Sequence, residues 1–420
     1  MTELRLALLS LGLLFTALFF VGFALVCRRG MTKATACALV LPLPILALLV
    51  FAAGAELQAG YFWWSRLILI TEAPPYEDFQ VSGDPSLSKL VQTTPIELPR
   101  PEISNALALA SWQASTRAVL RTDLFGLPER HEPSPSEPFR VLSSVDLSDG
   151  LRRQFVTFSG FDGTSIPGYL HYTPGAPRRP AILVLSGHGH GVVETAGLMS
   201  SYQNGVARAL AKLGYVTFTP EMRGFGYLGA RIGSEHRAVA RNALAAGTFY
   251  KAVALQDLTI AVDRLMELPH VDGRLAATGV SFGGELAAAL TALDPRIQLA
   301  VVQGFGGESV GPDRGESGTY HSVCNHYCHF IPRSNNFMHE EDLALLVAPR
   351  PLMFVRGSQE GLAGSALWPV LRTSYEALGH ASRFSFVQHR GYHEYWLEPA
   401  IPFIQHHLPL HHARSGRREH

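Results

Sequence analysis

Hydrophobic positions are spread unevenly along this chain. Two stretches, residues 6–27 and 34–55, are almost wholly apolar and contain no Asp, Glu, Lys or Arg. Each exceeds the roughly 20 residues that a helix needs to cross the hydrocarbon core of a bilayer. Pro42 and Pro44 interrupt the second run, which a membrane helix tolerates better than a soluble one. Between them lies Arg28-Arg29-Gly30-Met31-Thr32-Lys33, with three positive charges, whereas the outer flanks offer Arg5 and Arg66. That bias predicts a transmembrane hairpin with its loop in the cytoplasm and both ends on the far side. Tyr61-Phe62-Trp63-Trp64 then suits a membrane interface. A cleaved signal peptide ending near Ala53-Gly54-Ala55 is the alternative, and it too exports the remainder. The charge bias is only a few residues, so the inverted topology, with a cytoplasmic domain, stays open.

Beyond residue 70 the pattern changes. Residues 71–102 are rich in Pro, Ser and Thr and read as a linker. Leu107, Leu109, Trp112, Val119 and Leu120 recur at helical spacing over 104–124, and a Pro-rich stretch follows at 128–138. From 151 short apolar runs alternate with helical patterns. Strands are predicted at 152–159, 166–172, 181–185, 215–220, 275–280, 297–302, 351–355 and 383–387. Helices are predicted at 202–213, 255–268, 285–292, 367–378 and 397–407. Near-continuous apolar strands alternating with helices predict an α/β domain, a mostly parallel sheet with helices on both faces. The expected organisation is a membrane anchor at 1–70, a linker and helical segment at 71–150, and a catalytic domain at 151–408. An insertion at 304–346 is read as a lid and 409–420 as a flexible tail.

Composition sharpens this outline. Only 17% of the 420 residues are charged, with 35 basic and 35 acidic side chains. The shortage is concentrated in the two apolar runs, so the rest is ordinary for a folded domain. Zero net charge removes any general attraction to a polyanion, so no nucleic-acid partner is expected. Four cysteines are too few for a disulfide scaffold.

The chemistry concentrates late in the chain. Gly279-Val280-Ser281-Phe282-Gly283 follows a predicted strand and precedes a predicted helix, the setting of a nucleophile elbow. Gly307-Glu308-Ser309-Val310-Gly311 fits the same pattern, but the Gly-Pro-Asp-Arg-Gly after Ser309 cannot continue as a helix. Ser281 is therefore the candidate nucleophile. A serine needs a base, and the base an orienting acid. His393 lies just past the last strand, before the final helix, with His389 as runner-up. Glu360 follows the preceding strand and is the sole carboxylate between Asp342 and Glu376. The oxyanion hole is assigned to the backbone N–H of Phe282 and that of Gly189 or His190, in the loop Ser186-Gly187-His188-Gly189-His190-Gly191. No metal is expected there, because the His188/His190 pair has no evident further ligand. His321, Cys324, His326, Cys328 and His329 lie in the lid, and C-x3-C-H lacks a standard finger spacing.

These motifs resemble the α/β-hydrolase superfamily, in particular its dienelactone-hydrolase-like and acetyl-xylan-esterase-like branch. The resemblance runs through Gly187–Gly191, Glu221-Met222-Arg223-Gly224-Phe225-Gly226, Gly279–Gly284, Asp294-Pro295-Arg296-Ile297, Ala348-Pro349-Arg350-Pro351-Leu352 and Gly391-Tyr392-His393-Glu394. It implies an α/β-hydrolase fold and an ester hydrolase working without a cofactor. The departure is Glu360, where this branch more often has Asp. The expected function is a membrane-anchored serine hydrolase with a small-molecule ester substrate and its catalytic domain on the non-cytoplasmic side. The alternatives are a prolyl-oligopeptidase-like peptidase or amidase, since the elbow is similar in that family, and a non-catalytic tethered binding module.

Overall fold

The computed structural model describes residues 106–128, 138–232, 236–306, 327–332, 340–360 and 367–410. All of them belong to the unit Pro95–His420. Both apolar runs, the 71–102 linker, Ser309, Cys324 and the end of the tail lie outside these residues. Among the described residues no helix is long and apolar enough to cross a membrane.

The first helix among the described residues, α1 (Ala106–Val119), ends in a wide turn, Leu120–Leu124. Among the described residues nine strands then build one sheet: β1 (Arg140–Asp146), β2 (Arg152–Ser159), β3 (Ser165–Tyr172), β4 (Arg179–Leu185), β5 (Val216–Pro220), β6 (Val271–Val280), β7 (Ile297–Gln303), β8 (Leu352–Gly357) and β9 (Phe384–His389). Their spatial order is β1-β2-β3-β5-β4-β6-β7-β8-β9. β1, β2, β3 and β5 pair antiparallel, and every pairing from β5 through β9 is parallel. The connections carry α2 (Val192–Thr195), α3 (Val206–Lys212), α4 (Gly226–Ile232), α5 (His236–Ala245), α6 (Tyr250–Met266), α7 (Phe282–Leu293), α8 (Glu340–Val347) and α9 (Leu367–Ala377), and α10 (Leu397–His407) follows β9.

Alternation along the central strands explains why they read as unbroken apolar runs. Leu183, Leu185, Ala277, Val302 and Phe354 point to one face, where they pack with Leu255, Leu258 and Val262 of α6 and Leu286 and Leu290 of α7. Ile182, Val184, Ala276, Val301 and Met353 point to the other, against Val206 and Leu210 of α3 and Phe403 and Ile404 of α10. Both side-chain sets of a strand are thus taken out of water, as in a sheet covered on two sides.

The sheet begins earlier than the predicted start at 151. β1 occupies residues assigned to the linker segment, and all seven of its residues are exposed. An edge strand with no buried face leaves no hydrophobic alternation to read.

Candidate active site

The turn after β6 carries Ser281 at φ 61°, ψ −129°, a conformation that non-glycine residues rarely adopt. Its N–H donates to the Gln303 carbonyl at 2.9 Å, and its own carbonyl accepts from the Glu285 N–H at 3.0 Å. The flanking glycines are required sterically. A β-carbon at Gly279 would collide with the backbone of Gly283, and one at Gly283 with the Leu185 carbonyl. The tight turn therefore closes only with hydrogen at both positions. Phe282, fully buried against Phe225 and Tyr250, anchors the first turn of α7.

Glu360 follows β8 and His393 follows β9. His393 Nδ1 lies 3.5 Å from Glu360 Oε1. The glutamate side chain is 4% exposed and that of the histidine 40%, so the acid is sunk beneath a base that reaches the surface. Glu360 Oε1 also accepts from the Gly357 N–H at 3.1 Å, and Oε2 from Arg356 Nε at 3.2 Å. Burial alone would raise this carboxyl, but His393, the Gly357 amide and the Arg356 guanidinium together hold it below the ordinary carboxylate value. Two backbone bonds, Ser358 N–H to His389 O and Gln359 N–H to Gly391 O, tie the loops after β8 and β9 together. The runner-up base, His389, is buried and lies with its ring 4.1 Å from that of Trp396.

Gly304, just past β7, brings the base and the nucleophile to one place. A β-carbon built there would stand 2.7 Å from His393 Cε1 and 3.2 Å from Ser281 N. His393 and the Ser281 backbone thus share the space that a side chain at 304 would fill. The preceding Gln303 is fully buried, with Nε2 donating to the Trp396 carbonyl at 2.9 Å and Oε1 accepting from the Trp396 N–H at 2.7 Å. Sequence reading missed both residues; the only signal was a polar residue and a glycine closing an apolar strand.

On the opposite side, the loop after β4 approaches the elbow through Gly187, where a β-carbon would lie 3.0 Å from that of Ser281. The Gly187 N–H is occupied by Gln203 Oε1 at 2.9 Å, and the Gln203 amide in turn donates to Glu194. Tyr202 donates its hydroxyl to the His188 carbonyl at 2.7 Å and lays its ring 5.7 Å from that of His393. Gly189 and His190 follow on an exposed stretch. Beneath this loop Glu221 accepts the amides of Met222 at 3.2 Å and Tyr227 at 3.1 Å. Burial nonetheless dominates and pushes its carboxyl up to about 7.

The lack of further ligands around the His188/His190 pair needs correction. His190 stays exposed, but His188 is joined by His236 and Cys328, with ligand atoms all within 4.8 Å of one another. Chain distance hid this grouping: the three come from the loop after β4, the start of α5 and the short turn Tyr327–His329.

Residues 166–325 match the model of the dienelactone hydrolase family. The match spans Gly189, His190, Ser281 and Phe282 and ends before Glu360 and His393. Among curated proteins no sequence matches the chain. Similar solved structures include a candidate acetyl xylan esterase from Bacteroides fragilis, 17% identical, with a TM-score of 0.56 over 69% of this chain and 79% of that one. A glucuronoyl esterase from Solibacter usitatus is 14% identical, with a TM-score of 0.56 over 74% and 97% of the two chains. A methylesterase is 17% identical, with a TM-score of 0.52 over 74% and 66%. The resemblance read from the motifs is borne out: a segment that matches the dienelactone hydrolase family lies within a fold similar to those of solved esterases.

Proposed function

We propose that this chain is a serine hydrolase that cleaves carboxylic esters through a Ser281–His393–Glu360 triad. The observation that carries the reading is the convergence of a strained serine, a half-exposed histidine and a buried carboxylate at the ends of β6, β9 and β8. The family match and the esterases of similar fold support the ester chemistry. Nδ1 of His393 faces Glu360, so its proton donates to the carboxylate and Nε2 is left as the base. Ser281 Oγ attacks the ester carbonyl while His393 takes its proton. Amides of Phe282 and of Gly189 or His190 stabilise the oxyanion, and Glu360 stabilises the imidazolium. Collapse releases the alcohol with that proton. Water then attacks the acyl-enzyme, its proton passing through His393 to the leaving Ser281.

The substrate class that fits the fold comparison is an ester on a carbohydrate, since two of the similar structures are esterases named for xylan and glucuronoyl groups. The two charge-free runs support tethering to a membrane, with the hydrolase on the non-cytoplasmic side. Labelling of the full chain with a fluorophosphonate probe is the direct test. The wild type is expected to label and to turn over short acyl esters, and Ser281→Ala to do neither. Labelling that survives Ser281→Ala overturns the assignment, and turnover of peptide amides in preference to esters favours the peptidase reading.

A further inference from the structure

We propose that His188, His236 and Cys328 form a binding site for one zinc-class divalent ion, which joins the turn carrying Cys328 to the loop beside the nucleophile. The nitrogen and sulfur ligand atoms lie within 4.8 Å of one another, and His188 Nε2 is 3.2 Å from Cys328 Sγ. A tetrahedral zinc with the usual Zn–N and Zn–S bonds sets its ligands about 3.4 Å apart. The His188–Cys328 edge lies within about 0.4 Å of the tetrahedral value, and the other edges need to close by about 1.4 Å at most. Two imidazoles and a thiolate are a donor set for zinc rather than for magnesium or calcium, which take oxygen. Three protein ligands leave a fourth position for water or another group.

The surroundings are built for such an ion. Cys328 is fully buried and both histidines are half-buried. Phe225 stands 5.5 Å from the His188 ring and 4.8 Å from that of His236, and Phe282 stands 5.2 Å from His188. These rings form an apolar wall, which strengthens metal–ligand attraction. The turn bearing Cys328 is fixed independently of any ion: Lys251 donates to the His329 carbonyl at 2.7 Å, and His329 Nδ1 lies 2.6 Å from Glu285 Oε2. Lys251 and Glu285 are themselves a buried ion pair. Cys328 is therefore presented to the two histidines by a turn that Lys251 and Glu285 hold through its neighbour His329. On binding, the Cys328 thiol gives its proton to solvent and the thiolate enters the coordination sphere.

Cobalt(II) added to metal-free, reduced full-length protein reads the site directly. About one equivalent is expected to bind per chain with a thiolate-to-cobalt charge-transfer band, and zinc is expected to displace it. Cys328→Ser should abolish the band. Losing a group that only orients a ligand typically costs 10–100-fold in affinity. Loss of a ligand itself should therefore weaken zinc binding at least about 100-fold. Ser281→Ala should keep the band while losing fluorophosphonate labelling, so the metal site and the hydrolase assignment fail separately. Should Cys328→Ser not fold, as judged by its unfolding transition, His236→Gln supplies the test through weakened affinity. The proposal is overturned if no thiolate band appears, if the band survives Cys328→Ser in folded protein, or if His236→Gln leaves affinity unchanged.

Discussion

At Gly304 the site depends on an absent side chain, because φ is +59° and the place of a β-carbon is shared by His393 and the Ser281 backbone. Gly304→Ala must displace the imidazole or the elbow. A general base contributes about 100-fold or more to such a reaction. The variant is therefore expected to lose about 100-fold in kcat/KM and to label slowly with fluorophosphonate, while an unfolding curve shows a loss of only about 1–2 kcal/mol. Glu221 makes a different prediction. Its folded carboxyl titrates near 7, against an ordinary value of 4.5. Between those values the folded protein holds a proton that the unfolded chain has released, so stability falls as pH rises from about 4.5 to 7 and stays lower above. The loss is on the order of 3 kcal/mol. Glu221→Gln should remove that part of the slope, as read by the difference in Tm between variant and wild type at pH 5 and pH 8. The triad candidates are legible in the sequence because the elbow pattern and strand-end positions mark them. Gly304 and Gln303 are not, because their roles arise only when β7 lies between β6 and β8.

Arg350 joins elements rather than atoms of the site. Its guanidinium donates to the carbonyls of Thr291, Asp294 and Ile297 around the end of α7 and of Leu346 and Val347 at the end of α8. Helix C-termini leave such carbonyls without partners and carry partial negative charge. Burial is the largest influence on this side chain and lowers it to about 10, so a cation is held here chiefly by carbonyl dipoles. Arg350→Met is expected to cost about 3 kcal/mol in urea unfolding, because five backbone carbonyls each lose a donor at once. Arg350→Lys should recover less than half of that, since an ammonium lacks the planar fork that reaches two helix ends. The elements themselves are legible wherever burial imposes a period. The sequence pattern marks β2 and α10 with the bounds they have, and β4 through β9 within a few residues. It marks neither the exposed β1 nor α5, and α5 is the helix that carries His236 to the metal ligands.

At the scale of the molecule, a sheet whose parallel strands all end at one edge turns residues far apart in sequence into neighbours. Ser281, Glu360 and His393 leave that edge after β6, β8 and β9, and the loop from β4 meets them there. Net charge and composition report none of this, because the meeting is set by strand order and not by content. The α/β class is legible because alternating apolar strands and helices have few ways to bury both faces of a sheet. The grouping of His188, His236 and Cys328 is illegible for the converse reason: no periodicity links a loop, a helix start and an isolated turn. The position of β9 has a consequence for biosynthesis. Among the described strands it is the last to leave the ribosome, it lies at the sheet's outer border, and it pairs with β8 alone. Until it docks, Ser281 has its strained turn but the proposed base, His393, is not held beside it. The proposed triad is therefore incomplete until β9 closes the edge of the sheet.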